Sequence, residues 1–180
     1  MKQIARFLLW LSGWRIKGAV PEGEDKAVII AAPHTSNWDF IIGRLAYFEM
    51  GVKVHFLIKK EIFKWPLGGL LKMWGGIPVD RSKKTNLVNE IVSIFNNHKN
   101  LYVIITPEGT RSLVKSWKKG FYYIALNAGV PIVLGYLDYA KKTGGIGPVI
   151  YPSGNYDEDL KTIKNFYKDK KGRHPEKFKL

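Results

Sequence analysis

Ala27-Val-Ile-Ile-Ala-Ala-Pro-His34-Thr-Ser-Asn-Trp-Asp39-Phe-Ile-Ile42 is the stretch on which the fold turns. Its first six residues are apolar without alternation, as in a strand covered on both faces. Pro33 breaks that run. Ser36 or Asn37 can cap a helix that begins near Trp38 and continues to Met50, where Gly51 offers a left-handed stop. The unit is therefore strand, polar loop, helix.

The same grammar recurs along the chain. Strands are predicted at Val52–Ile58, Leu101–Thr106 and Val130–Leu137, and helices at Thr85–His98 and Lys119–Ala128. Lys60–Trp74 is helix-like but interrupted at Pro66 and at Gly68-Gly69, and Gly144-Gly145 is a candidate turn leading to a partner strand near Pro148–Tyr151. Strands alternating with helices imply an α/β fold with a largely parallel or mixed sheet flanked by helices. Length and the absence of linkers or repeats imply one domain over residues 1–180.

Composition narrows the function. There is no Cys, which excludes disulfides, Cys-based zinc sites and a thiol nucleophile. Lys+Arg 29 against Asp+Glu 15 leaves a net charge of +14, so the expected partner is polyanionic: a nucleic acid, an anionic lipid surface or a phosphorylated substrate. Six Trp favour the lipid surface, because indole pairs an apolar ring with an N–H that seeks a polar partner.

No run reaches the ~20 apolar residues that span a bilayer. Residues 1–20 contain Phe7-Leu-Leu-Trp-Leu11 between Arg6 and Arg15. That segment is too short for a signal peptide and lacks a small-x-small cleavage site; it reads equally as an interfacial helix or a core helix. Phe56–Trp74 mixes Phe63, Trp65 and Leu70 with Lys60, Lys64 and Lys72, the pattern of an interfacial element. The charged segment from Asp157 to Leu180 reads as a surface helix with a basic tail, more in keeping with a solvated face than with lipid contact.

In α/β sheets ligands bind beyond the carboxyl ends of the strands. The loop after Ala32 carries His34 and Asp39, and the loop after Thr106 carries Pro107-Glu-Gly-Thr-Arg-Ser112. A third polar pair, Asp80-Arg81, follows Gly76-Ile-Pro-Val79. On one continuous helix His34 and Asp39 would be about 500° apart and could not meet. With His34 in the loop and Asp39 in the first helical turn they can, and an Asp beside an imidazole fixes its tautomer and stabilises its cation. Such a pair is a general base. Amides at the helix start near Trp38 are candidates to receive a developing oxyanion.

Taken in order, His34-Thr-Ser-Asn-Trp-Asp39, Gly76-Ile-Pro-Val-Asp-Arg81, Pro107-Glu-Gly-Thr-Arg-Ser112 and Val130-Pro-Ile-Val133 resemble the four blocks of the lysophosphatidic acid acyltransferase family. Trp117–Ala125 resembles the family segment between the third and fourth blocks, so the likeness covers roughly Ala27–Leu137. The fourth block lacks its second Pro, with Leu134 and Gly135 there instead.

The resemblance implies a glycerol-3-phosphate acyltransferase-like fold and a fatty acyl transfer from acyl-CoA or acyl-ACP to 1-acyl-sn-glycerol-3-phosphate, with no metal and no cofactor beyond the co-substrate. It implies His34 as base, Asp39 as its orienting partner, and Arg81, Glu108, Gly109, Thr110 and Arg111 as acceptor-binding residues. Pro131 would belong to the acyl-donor side. It implies a monotopic protein on the cytoplasmic face of a membrane, where thioester donors are made. Another lyso-lipid acceptor, with a different head group or an acylated amino acid, stays open. A basic nucleic-acid-binding module is the reading from another class, without a recognised motif to support it. A serine hydrolase lacks the Gly-x-Ser-x-Gly elbow.

Overall fold

The Lys26–Ala32 strand sits mid-sheet, and Ala27 through Ile30 are fully buried. In the computed structural model, which describes residues 1–64, 67–80 and 87–180 and only the backbone of residue 67, this is β2. The other strands are β1 (Arg15–Lys17), β3 (Val54–Lys59), β4 (Gly76–Val79), β5 (Leu101–Ile105), β6 (Ile132–Asp138) and β7 (Thr143–Ile150). Among the described residues they form one sheet in the order β1-β7-β6-β2-β5-β3-β4. Its neighbours pair parallel except β6 with β7, so the sheet is mixed.

The helices are α1 (Lys2–Leu11), α2 (Trp38–Met50), α3 (Leu67–Met73), α4 (Leu87–Asn96), α5 (Gly120–Ala128) and α6 (Tyr156–Tyr167). Alternate residues of β2 face opposite layers, as strand geometry requires. Val28, Ile30 and Ala32 pack with Ile91 and Phe95 of α4, with Phe121 and Ile124 of α5, and with Ile163 and Tyr167 of α6. Ala27 and Ile29 pack with Tyr47 of α2 on the other face. Leu9 of α1 and Ile42 of α2 close a third cluster with Trp14 and Leu137.

This division has a consequence for ligands. The chain leaves β2 for α2 on one face and leaves the adjacent β5 for α5 on the other. The carboxyl ends of β2 and β5 therefore flank a topological switch point, where the two connections diverge and a crevice opens.

Several sequence expectations need correction. Gly144 and Gly145 are not a turn but lie inside β7. The turn is Tyr139–Lys142, with Lys142 at φ +45°. Gly145 is glycine because β1 crosses it: at φ +141° an added Cβ would stand 1.9 Å from the Lys17 carbonyl oxygen. Neither β1 nor β4 had a periodic signal. β4 tolerates Pro78 because it is a sheet edge, where a missing N–H costs no ladder bond.

The segment after residue 156 is not simply a solvated face either. Tyr167 is fully buried, and its hydroxyl donates to the Gly135 carbonyl at 2.9 Å, with the Ile30 carbonyl at 3.3 Å. Beyond it the chain doubles back as a strap over the loop that follows β2. Gly172 packs against Pro33 and Thr35, the His174 N–H donates to Thr35 Oγ1 at 3.2 Å, and the Arg173 guanidinium lies 5.3 Å over the Trp38 ring.

α1 packs one face on the body and leaves the other exposed. Ala5 and Leu9 are buried, whereas Ile4, Phe7, Trp10 and Leu11 are exposed by more than half. Among the described residues no helix is long and apolar enough to cross a membrane.

Candidate active site

His34 follows β2 directly and stays outside the helix, while Asp39 occupies the first turn of α2. That places His34 Nδ1 3.2 Å from Asp39 Oδ2. The same carboxylate oxygen accepts the Thr35 and Ser36 amides at 2.8 and 2.9 Å, and Oδ1 accepts the Tyr139 hydroxyl at 2.7 Å. Burial pushes the Asp39 carboxyl upward, but the bonds from His34, Tyr139 and the two amides outweigh it and hold the group below its ordinary value. Asp39 is thus an ionised carboxylate at neutral pH. With Nδ1–H directed at that carboxylate, Nε2 is left with its lone pair.

Glu108 was expected to face a ligand, and it does not. It is 3 % exposed, and Oε1 accepts the backbone N–H of His34 at 3.0 Å. It braces the loop from behind. Oε2 is buried with no partner, and burial pushes the carboxyl up to about 7 against the opposing hydrogen bonds and the nearby imidazole. Gly109 follows at φ +66° and lines the cavity, with the Lys118 side chain lying where a Cβ would stand. Thr110 and Arg111 are exposed on the same turn, where Thr110 Oγ1 accepts the Ser112 amide at 3.3 Å. Arg81 lies outside the described residues.

Pro131 is not brought to the site. It precedes β6, is buried, and its carbonyl accepts the Val28 N–H at 3.0 Å. That is the amino end of the sheet, a strand's length from His34, roughly 15–20 Å at ~3.3 Å per residue. Its role here is to start β6 against β2. The amides at the start of α2 are also engaged. Those of Thr35 and Ser36 bind Asp39, that of Trp38 binds Ser36 Oγ at 3.2 Å, and those of Asp39 and Phe40 bind local carbonyls.

A cavity of about 370 Å³ opens at the switch point. His34, Asp39, Gly109 and Lys118 line it, and its remaining wall is mostly apolar, with Phe40, Gly43, Tyr47, Met50, Phe56 and Ile104 on the α2 side. Gly43 has no heavy atom within 4 Å of where its Cβ would be, so the absent side chain enlarges the hollow. An imidazole with a free ring nitrogen, backed by an ionised carboxylate and set beside a mostly apolar hollow, can deprotonate a hydroxyl held next to a hydrocarbon chain.

Sequence reading missed Tyr139, buried Thr35 and the strap from Gly172 to His174. Tyr139 lies 100 residues from Asp39 and Thr35 lies 139 from His174, so no local pattern could connect them.

The chain belongs to the acyltransferase family: the model of that family, described as Acyltransferase, matches residues 15–134. Among curated proteins, 1-acyl-sn-glycerol-3-phosphate acyltransferases of Limnanthes douglasii and Limnanthes alba are each 33% identical over 139 residues, covering 72% of this chain and 47% of theirs. That of Cocos nucifera is 33% identical over 134 residues, covering 71% and 42%. The chain thus spans less than half the length of these relatives. The crystal structure of the 1-acyl-sn-glycerophosphate (LPA) acyltransferase PlsC from Thermotoga maritima superposes with a TM-score of 0.63 over 93% of this chain and 77% of that one. At 17% identity that likeness establishes the fold alone.

Proposed function

We propose that this chain transfers a fatty acyl group from an acyl-CoA or acyl-ACP thioester to the hydroxyl of 1-acyl-sn-glycerol-3-phosphate, with His34 as general base. The observation that carries this reading is that His34, paired with an ionised Asp39, lines an apolar cavity of about 370 Å³. A hollow walled mostly by apolar side chains suits the hydrocarbon chain of a fatty acyl donor or a lyso-lipid.

Nε2 takes the proton of the acceptor hydroxyl as its oxygen attacks the thioester carbonyl. Asp39 stabilises the imidazolium. The tetrahedral intermediate collapses with cleavage of the C–S bond, and the imidazolium returns the proton to the departing thiolate. An ester and a free thiol result, with no net proton released. No acyl-enzyme is required. Ser36 Oγ accepts the Trp38 amide and, among the described residues, has no base partner, which disfavours a serine nucleophile. Arg111, exposed two residues after the cavity-lining Gly109, is a planar cation suited to the acceptor phosphate.

The reading includes a lipid surface as partner. The exposed faces of α1 and of the α2 start, with Phe7, Trp10, Leu11, Trp38, Phe40 and Ile41, belong to two helices that pack together, and the +14 charge favours anionic head groups. We place the protein on the cytoplasmic side, where the donors are made.

The test is thiol release from palmitoyl-CoA and from palmitoyl-ACP, with and without the acceptor. Acceptor-dependent release that falls about 10²–10⁴-fold in His34→Ala is expected. Release at equal rates in the two proteins sinks the assignment of the base. Activity with neutral or amino-acid lyso-lipids, and none with the phosphate acceptor, moves the reading to another acceptor.

A further inference from the structure

Asp39 is held from a direction that the family's sequence blocks do not include. Tyr139 follows β6 immediately, outside the residues matched by the family model, and its hydroxyl donates to Asp39 Oδ1 at 2.7 Å. The tyrosine is itself fixed. Its ring meets the buried Trp14 indole edge-on, with centroids 5.0 Å apart and planes at 89°, and its backbone N–H donates to the Lys171 carbonyl at 2.9 Å.

We propose that Tyr139 is a positioning residue of the proton-transfer pair: its hydroxyl anchors Oδ1 of Asp39 so that Oδ2 stays aimed at Nδ1 of His34. This rests on the reading of His34 as the base. The argument starts from the two oxygens of a carboxylate. Oδ2 collects the Thr35 amide, the Ser36 amide and the imidazole, all from one short loop. Oδ1 points the other way, into a site where Asp39 is only 8 % exposed. Left bare, a buried carboxylate oxygen would turn toward any donor in reach, and the imidazole would lose its alignment.

A neutral donor suits this position better than a cation. A Lys or Arg there would form its own ion pair with Asp39 and weaken the carboxylate's hold on the imidazolium. A phenol satisfies the oxygen and leaves the charge to His34. The proton also stays on the phenol. Burial first, and then the adjacent Asp39, push Tyr139 well above its ordinary titration range, against a smaller opposing effect of Arg173. Tyr139 therefore remains a donor at every pH at which the base can work.

Tyr139→Phe is the decisive variant, because it keeps the ring against Trp14 and removes only the O–H. We expect kcat to fall by about tenfold, less than the ~10²–10⁴ of the whole base, with the KM of donor and acceptor nearly unchanged. The acidic limb of the rate profile should move to higher pH, because charge no longer shared with the phenol is left to the imidazolium. The other charged groups around the pair, Glu108 behind His34, Arg173 on the strap and Lys118 and Arg44 in the cavity wall, are the same in both proteins.

A second readout needs no turnover. The Nδ1–H proton resonance of His34, identified by its loss in His34→Ala, should shift or broaden in Tyr139→Phe and stay put in a Tyr123→Phe control on the exposed side of α5. An unmoved resonance and pH profile overturn the proposal, even if kcat falls, because they describe a residue that only packs. Full turnover in His34→Ala would instead sink the base assignment, and the resonance would still report whether Tyr139 orients Asp39.

Discussion

Glu108 shows how burial turns a carboxyl into a pH-dependent weight on the fold. Its ordinary value of 4.5 is pushed up to about 7. A group raised in the folded state contributes its full stability below the unfolded value, and loses it as pH rises through the folded one. The Glu108 contribution should therefore be lost between about pH 4.5 and 7 and stay level above that, against the opposite trend of His55, which burial lowers. Glu108→Gln keeps a carbonyl oxygen to accept the His34 N–H but cannot ionise. We expect it to be more stable than the parent at pH 8, by on the order of 3 kcal/mol, and to converge with it near pH 4.5. Melting curves that run parallel across this range would show that the carboxyl is not strained. Gly43 makes the opposite exchange. Glycine inside a helix costs about 0.5–1 kcal/mol relative to Ala, and here it widens the cavity. Gly43→Ala should raise stability by that amount. Gly43→Leu should cut activity with palmitoyl donors well below that with octanoyl donors; equal losses for both would remove Gly43 from the chain path.

At the scale of elements, α1 is divided along its length between two jobs. Leu9 and Ala5 attach it to the body, and the opposite face offers Phe7, Trp10 and Leu11 to the surroundings. Replacing those three with Ser should leave thermal unfolding within about 0.5 kcal/mol of the parent, as for other surface changes. Binding to vesicles containing anionic lipid should fall at least tenfold in co-sedimentation. Unchanged sedimentation would free α1 of any lipid role. α1 is also where local reading reached its limit. Its composition suited both a core and an interfacial helix, because the segment alone does not say which neighbours a face will find. β2, α2, β5, α5 and β6 were legible because each is an uninterrupted apolar run or a capped helix. β1 was not, because Arg15, Ile16 and Lys17 carry no periodicity and become a strand only when β7 offers an edge. Gly144-Gly145 misled for a related reason: glycines that mark turns in sequence also permit close approach of a neighbouring strand.

Across the whole molecule, the site divides by sequence distance. The His34–Asp39 pair was readable from a five-residue spacing and the helix start between them. Glu108 was found but its duty was misjudged, because a residue type gives no direction: the side chain turns inward to the His34 backbone. Pro131 matched a block but lies at the wrong end of the sheet, which only strand polarity reveals. Tyr139 and the strap were invisible because their partners are far away in the chain.

That distance has a meaning during synthesis. The loop bearing His34 leaves the ribosome 139 residues ahead of the amide that bonds Thr35. At the usual pace of translation the interval is on the order of ten seconds. A nascent chain through residue 134 already carries both His34 and Asp39 and the whole span matched by the family model. It still lacks Tyr139, β7, α6 and the strap. Growing chains therefore hold Asp39 without its tyrosine donor, and the early loop is clasped only after the polypeptide has gone round to residue 174.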